Sequence, residues 1–112
     1  MGSEETGVVS VLAALADPVR LQTVELLAAG PLRAGELADE LGVSAPTMSK
    51  HLRTLLRAGV VIDERPPGDA RVRMFRLRPE SVVAVRAWLN QLQAHWDDQL
   101  ASFKAHVERS QR

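Results

Sequence analysis

The sequence contains no cysteine and only four aromatic residues among its 112 positions. The lack of cysteine excludes disulfides, thiolate metal ligands and thiol redox switches, and it is typical of a cytoplasmic protein. No apolar run approaches the length of a membrane-spanning helix, and the acidic start MGSEETG is unlike a signal peptide. We therefore expect one cytoplasmic domain with no membrane segment.

The chain also lacks net charge, since 14 basic residues balance 14 acidic ones. The two signs are nonetheless separated along the sequence. Residues 1–43 contain seven acidic and two basic residues, a balance of −5, whereas residues 44–78 contain eight basic and three acidic residues, a balance of +5. Such a basic segment is either a solvated face or a surface that meets phosphate groups, and charge alone does not separate the two.

Hydrophobic periodicity predicts four short helices in the first half of the chain. Asp17 and Ser44 have the side chains of N-caps, and a proline follows each within two residues. Glycine ends the second, third and fourth helices, as is common at helix C-termini. The predicted helices cover residues 8–17, 18–30, 33–42 and 44–58. The side chains of the second helix expected to face the core are Val19, Leu21, Val24, Leu27 and Ala28.

The second half of the chain begins with a change of period. VVIDER (60–65) and ARVRMFRL (70–77) have the alternation of strands, and PPGD between them supplies turn residues. We call this arginine-rich hairpin, residues 60–77, the wing. Residues 80–109 are expected to form one long helix. The predicted fold is mostly α with a small β-hairpin, a winged helix-turn-helix of order α1-α2-α3-α4-β-β-α5 in a single domain.

The fourth helix, SAPTMSKHLRTLLRAG, has two unlike faces. Small hydroxyl residues and flexible cations in its first turns suit close approach to a major groove, which is about 12 Å wide. Exposed cations are also a common solvated surface, and the neighbouring helix and wing favour DNA contact. On a helical wheel Met48, Leu52, Leu55 and Leu56 point inward, Pro46, Lys50, Arg53, Thr54 and Arg57 point outward, and Thr47 and Ser49 flank them.

Four segments carry a family resemblance in their order along the chain: ALADPVRLQTVELL, GELADELGVS, SKHLRTLLRAGVV and the arginine-rich wing ending in MFRL. Over about residues 10–78 the chain resembles the ArsR/SmtB family of bacterial transcriptional repressors. The resemblance implies a homodimer joined by its first and last helices, with each recognition helix on half of an inverted-repeat operator. Residues 8–79 would then be the DNA-binding core and 80–109 the dimerisation helix.

By position, the resemblance implies DNA contacts in the recognition helix and in the wing. Thr47, Ser49 and Lys50 are expected to contact bases, and the arginines are expected to contact phosphates. His51 is expected to pack and to hydrogen-bond, and Arg20 is either functional or a structural residue whose guanidinium ties helix ends together. The candidate DNA-binding residues are Ser44, Pro46, Thr47, Ser49, Lys50, Arg53, Arg57, Arg65, Arg71 and Arg73.

The last helix would extend about 45 Å, which is too long for a domain of this size to cover by itself. Its apolar stripe should therefore meet a partner subunit, and Trp88 and Trp96 are interpreted as dimer core and not as a ligand cage. The candidate dimer-interface residues are Val8, Leu12, Leu15, Trp88, Leu92, Trp96, Leu100 and Phe103.

Many members of the family that this chain resembles release DNA when a metal binds. The thiolate site needs cysteine, and the last-helix site would fall here on Pro79, Ser81, Leu92 and His95, of which only His95 can ligate. Zinc sites need about four donors. We predict no metal and no cofactor, with His95, Asp98 and His106 as the only plausible donors. A small-molecule effector, if there is one, could lie between helices at the dimer interface.

The sequence thus predicts a DNA-binding transcriptional regulator, a homodimeric repressor of an inverted-repeat operator. The alternative is a winged-helix module that binds protein and not DNA. No Ser/His/Asp or Cys/His arrangement, paired carboxylates or Gly-rich phosphate loop is present in the sequence, so an enzyme is not expected.

Overall fold

The computed structural model describes residues 3–111, and the side chains of residues 7–111. Within that range the chain forms five helices and three short strands. The predicted fold class, mostly helical with a small antiparallel sheet, is confirmed. In chain order the elements are α1 (Ser3–Leu15), α2 (Pro18–Leu27), β1 (Leu32–Arg33), α3 (Ala34–Leu41), α4 (Ala45–Arg57), β2 (Val61–Glu64), β3 (Met74–Leu77) and α5 (Pro79–Ser110).

The break between α1 and α2 is set by Asp17, as predicted. Its carboxylate accepts hydrogen bonds from the backbone N–H groups of Val19 at 2.8 Å and Arg20 at 3.2 Å. These bonds satisfy donors that a helix N-terminus leaves free. The helix ends earlier than predicted, because Leu27 is its last residue and the glycine expected to cap it lies three residues beyond.

The inward face of α2 differs from the predicted stripe. Leu21 is 43% exposed and Ala28 is exposed, whereas Thr23 is fully buried. Its hydroxyl donates to the carbonyl of Val19 at 2.7 Å. A threonine whose hydroxyl bonds to its own helix can be buried without an unsatisfied polar group. The core face therefore follows Thr23 and Leu27, four residues apart, and the prediction for Leu21 and Ala28 was wrong.

The sheet contains three strands in the order β1-β3-β2, all antiparallel. In the register, Leu32 lies opposite Phe75, and Val61 lies opposite Leu77. The two-residue strand β1 was not predicted, because Leu32 lies between two predicted helices and Arg33 was expected to begin the third helix. It adds a third strand next to β3 and fixes the start of α3 against the wing.

The second arm of the wing is shorter than predicted. The strand was expected over residues 70–77, but only Met74–Leu77 pairs with β2. Residues 65–73, the wing loop, are held by turn bonds from Asp69 N–H to the carbonyl of Pro66 (3.2 Å) and from Val72 N–H to the carbonyl of Asp69 (3.3 Å). Local turn bonds replace the strand ladder there.

The core lies between the first four helices and one face of the sheet. Leu37, Met48 and Leu55 have no exposed surface, and Leu52 and Phe75 are 2% exposed. The inward orientation predicted for the buried residues of α4 is confirmed. Burial of each such side chain stabilises the fold by about 1.5–3 kcal/mol, so the orientation of α4 is strongly determined.

Helix α5 contains 32 residues and extends about 48 Å. It packs on α1 through its first turns, and none of its described side chains is buried. Trp96, Leu100 and Phe103 are 57%, 61% and 67% exposed.

Within the described residues no single helix is long and apolar enough to cross a membrane. Gly7–Leu15 and α2 taken together have the length and composition of a membrane span, with a bend of 104° between them.

Candidate nucleic-acid interface

The turn between α3 and α4 is tight because a glycine ends the first helix. Gly42 has a φ of 65°, in the left-handed region that favours glycine. The N–H of Val43 then donates to the carbonyl of Ala38 at 3.1 Å. Ser44 follows as the N-cap of α4, as predicted. Two helices joined in this way form a helix-turn-helix, which places the N-terminus of α4 at the surface.

The hydroxyl of Ser44 is committed to capping. Its oxygen accepts from the N–H of Thr47 at 3.2 Å, and its proton is donated to the hydroxyl oxygen of Thr47 at 2.9 Å. The hydroxyl proton of Thr47 therefore points away from this pair and remains available to an acceptor outside the helix. Pro46, Thr47 and Ser49 are all exposed. Of Ser44 and Thr47, Thr47 is therefore the better placed to contact a ligand through its hydroxyl.

The outer side of α4 is basic. Lys50, Arg53 and Arg57 are exposed on it, and in the described part of the chain no carboxylate oxygen lies within 4 Å of these cations. Thr54, between them, donates its hydroxyl to the carbonyl of Lys50 at 3.2 Å. Arg57 lies at the far end of the helix, where it lines a surface cavity together with Arg20 and residues of α1.

A bridge of side chains connects α4 to the α1–α2 junction. The Nε of Arg20 donates to the carbonyl of Ala14 at 2.6 Å, and its Nη1 lies 3.3 Å from Nδ1 of His51. His51 is also 4.0 Å from the carboxylate of Asp17. Backbone hydrogen bonding from Arg20 lowers the pKa of Asp17 below its ordinary value. The structural roles proposed from sequence for Arg20 and His51 agree with these contacts.

The wing loop presents its arginines in different ways. Arg65 donates to the carbonyl of Ala70 at 2.6 Å and so closes the loop. The side chain of Arg71 is 95% exposed, and its Nε lies 3.6 Å from the carboxylate of Asp69. The backbone N–H of Arg71 donates to the same carboxylate at 3.1 Å. Arg71 therefore projects into solvent from the tip, whereas Arg65 is partly committed to the loop.

Arg73 occupies a structural position between the strands. Its Nε donates to the carboxylate of Asp63 at 2.7 Å, and its guanidinium lies 4.8 Å from the centre of the Phe75 ring. The hydrogen bond from Arg73 lowers the pKa of Asp63. Asp63 and Phe75 had no predicted role, and they lie directly opposite each other in the antiparallel register of β2 and β3.

The structure brings part of the wing to the recognition helix. Ser49 and Arg53 of α4 line a groove of about 240 Å³ together with Arg73 and Phe75. Three of the predicted DNA-binding residues therefore share one concave surface. Arg65 and Arg71 do not line this groove and lie in the loop beyond it.

The predicted dimer-interface residues fall into three groups by their exposure in the single chain. Val8 is 6% exposed in the single chain, so it offers little surface to a partner. Trp96, Leu100 and Phe103 are exposed on the second half of α5. The remaining four, Leu12, Leu15, Trp88 and Leu92, are half-buried.

The three residues considered as metal donors lie on one helix. His95 and His106 are eleven positions apart, about 16 Å along the axis of α5. Among the described residues no group of three histidine, aspartate or glutamate side chains is arranged to hold a metal ion.

Comparison with known proteins decides the family. The family described as "Bacterial regulatory protein, arsR family" matches residues 17–63, which include α2, the helix-turn-helix and the start of the wing. The chain is 48% identical over 77 residues, 69% of each chain, to the HTH-type transcriptional regulator Rv2034 of Mycobacterium tuberculosis. The chain belongs to the ArsR family. The prediction of a DNA-binding transcriptional regulator is thereby confirmed.

Two further relatives extend the comparison. The transcriptional repressor SdpR of Bacillus subtilis is 38% identical over 56 residues, which are 50% of this chain and 62% of that protein. The solution structure of Mb0332 from Mycobacterium bovis, described as a homodimeric winged helix-turn-helix DNA-binding domain, has a TM-score of 0.62 and 28% identity. The likeness covers 80% of this chain and 81% of that one, and it confirms the winged helix-turn-helix fold.

Proposed function

We propose that this ArsR-family protein is a homodimeric repressor that binds an inverted-repeat DNA operator through α4 and the wing. The observation that carries the proposal is the basic side of α4. Lys50 and Arg53 are exposed there with no carboxylate within 4 Å in the described chain. On the opposite side Met48 and Leu55 are completely buried. The helix is therefore held rigidly with its cations outward.

The dimensions of α4 suit the major groove of DNA. The helix has 13 residues and extends about 20 Å, and a groove about 12 Å wide admits one helix whose N-terminal residues meet base edges. Thr47, Ser49 and Lys50 lie in its first two turns and would contact bases. Arg53 would contact the phosphate backbone, where a guanidinium forms charge-assisted hydrogen bonds.

The wing would contact the DNA backbone beside the helix. Arg71 is the strongest candidate, because its side chain is almost completely exposed at the tip of the loop. Arg73 would act in two ways, since it shares a groove with Arg53 and is also bound to Asp63. It would hold the wing at a fixed angle to α4 and add positive charge to the surface between them.

Dimer formation is supported by the unpartnered stripe on α5 and by the homodimeric state of the Mycobacterium bovis relative. Trp96, Leu100 and Phe103 recur at intervals of three and four residues, which places them on one side of a helix. Packing of this stripe against a second copy would remove it from water. A two-fold dimer would present two recognition helices to half-sites about one helical turn, roughly 34 Å, apart.

Repression would follow from occupancy of the operator, which blocks polymerase in the cytoplasm. An effector would release DNA by changing the spacing of the two recognition helices. The role requires no catalytic residue.

Salt-dependent binding to the promoter of the protein's own gene tests the proposal. Fluorescence anisotropy with that DNA should give an affinity that falls steeply between 50 and 200 mM salt, because cations on the protein displace counterions from phosphates. Scrambled DNA of the same length is the control and should bind more weakly. A winged-helix module that binds only protein would show no operator affinity at either salt concentration.

A further inference from the structure

An apolar cavity of about 270 Å³ opens between α1, α5 and the base of the wing. Its walls come from distant parts of the chain. Val11 is from α1, Val60 and Leu77 are from the base of the wing, and Val82 and Val85 are from the first turns of α5. The cavity is separate from the DNA-binding surface, which lies on the outer side of α4.

The wall of the cavity is almost entirely apolar, and the two polar residues that border it are Ser81 and Arg86. Ser81 donates its hydroxyl to the carbonyl of Gly59, so this group already has a partner in the fold. Arg86 also lines the cavity, and in the described chain no carboxylate oxygen lies within 4 Å of its guanidinium. A hydrocarbon wall bordered by an exposed arginine is complementary to an amphipathic anion whose apolar end is inside and whose charged end stays at the opening.

The volume limits the size of that anion. A cavity of about 150 Å³ accommodates benzene, with six carbon atoms, so 270 Å³ corresponds to about ten non-hydrogen atoms. We propose that this cavity is the effector site of the repressor and binds a saturated carboxylate of about eight carbons, with its chain in the cavity and its carboxylate on Arg86. Leu15, assigned from sequence to the dimer interface, is also part of the wall.

The position of the cavity gives a ligand a way to act on DNA binding. Val60 forms part of the wall of the cavity. It is also bonded to the last turn of the recognition helix α4, because its N–H donates to the carbonyl of Leu55 at 3.0 Å. Its own carbonyl accepts from the N–H of Arg78, immediately before α5, at 2.9 Å. The hydrocarbon part of a carboxylate bound in this cavity would displace both α5 and the end of α4. Such a ligand couples the dimer helices to the recognition helix.

Calorimetric titration of the full-length protein with octanoate tests the binding step. We expect one octanoate per chain. The variant Val82→Phe should weaken binding at least tenfold by filling the mouth of the cavity. Val83→Phe is the matched control, since Val83 is the next residue of α5, is exposed and does not line this cavity. It should bind octanoate within twofold of the wild type.

The role of Arg86 is tested with a pair of ligands. Arg86→Gln should weaken octanoate binding at least fivefold and leave the affinity for 1-octanol unchanged, since the alcohol has no carboxylate. Methyl spectra of the unmodified protein provide a check that does not depend on folding of a variant. Octanoate should shift the resonances of Val11 and Val60 but not those of Leu21, which is exposed elsewhere on α2.

Regulation is measured separately from binding. Saturating octanoate should change the operator affinity of the wild type at least fivefold and that of Val82→Phe by less than twofold. This step depends on the proposed function, whereas the calorimetry does not, so failure of operator binding without octanoate is distinguishable from failure of the ligand site. Octanoate binding unaffected by Val82→Phe overturns the proposal. The absence of octanoate binding to the wild type also overturns it. If the Val82→Phe dimer then dissociates as well, the cavity is filled by the partner subunit.

Discussion

Arg20 joins the end of α1 to His51 of the recognition helix. Its Nε donates to the carbonyl of Ala14 at 2.6 Å, and its Nη1 lies 3.3 Å from Nδ1 of His51. A guanidinium has only donors, so Arg20 is the donor in this contact and Nδ1 of His51 the acceptor. The position of α4 thus depends on a residue 31 positions earlier in the chain.

Replacement of Arg20 should destabilise the fold. Arg20→Gln removes two hydrogen bonds from a charged donor, and we expect the free energy of unfolding to fall by about 1–3 kcal/mol. Urea unfolding at a fixed protein concentration measures it. Arg33→Gln is the control, because Arg33 is exposed and its ion pair with Glu36 is long, at 4.0 Å. This variant should change the free energy of unfolding by no more than about 0.5 kcal/mol. Equal effects of the two variants would contradict the bridging role of Arg20.

Lys50→Ala and Arg53→Ala should each abolish operator binding and leave the dimer intact. Both side chains lie on the exposed side of α4 and have no part in the core. Gel shifts measure the DNA affinity, and sedimentation measures the dimer. Lys104→Ala, an exposed cation on α5, should bind the operator as the wild type does. Normal binding by both α4 variants would defeat the assignment of α4.

The two wing arginines should separate in their effects. Arg71→Ala should weaken operator binding, reduce the slope of log affinity against log salt by about 1, and leave the melting temperature unchanged. Arg73→Ala should lower both DNA affinity and the melting temperature, because it also removes the contacts with Asp63 and Phe75. Anisotropy and thermal melts on the same samples make the comparison. An unchanged melting temperature for Arg73→Ala would show that those contacts do not support the wing.

The exposed stripe of α5 should control dimerisation. Leu100→Glu introduces a charge into the stripe and should raise the dimer dissociation constant at least about tenfold, which corresponds to about 1.4 kcal/mol. Ala101→Glu is the matched control, because a step of one residue rotates the side chain about 100° around the helix. Sedimentation at several concentrations measures both. Equal dissociation of the two variants would exclude the stripe as the interface.

Acid should destabilise the protein through two carboxylates. Arg73 lowers the pKa of Asp63, and the backbone N–H of Arg20 lowers the pKa of Asp17. A group whose pKa is lower in the folded than in the unfolded state stabilises the fold fully above the unfolded pKa. This contribution is lost as the pH falls through the folded pKa. The melting temperature should therefore decrease when the pH is lowered below about 4.

Variants identify which carboxylate is responsible. Asp63→Asn should make the fall of the melting temperature below about pH 4 less steep. Asp98→Asn, on α5 and far from the wing in sequence, should retain the wild-type slope. The same slope in both variants would mean that the bond between Asp63 and Arg73 does not contribute to acid sensitivity.

Sequence patterns predicted the elements that depend on near neighbours. Asp17 and Ser44 cap helices with bonds that reach two or three residues along the chain, and Gly42 ends a helix through its own backbone conformation. The burial of Met48 follows from helical periodicity. The burial of Thr23 was missed, because its hydroxyl is satisfied within the helix and hydrophobicity alone does not indicate it.

The sequence by itself determined the helix-turn-helix, the cations of α4 and the long apolar stripe of α5, since each is specified by residues within a few positions of one another. Only the tertiary structure decided that β1 joins the sheet, that Arg73 is bound to Asp63 and that Arg20 meets His51. These contacts connect residues that lie 10 to 43 positions apart. They form because packing of the core brings distant segments together, and no local pattern of side chains predicts which distant residues will meet.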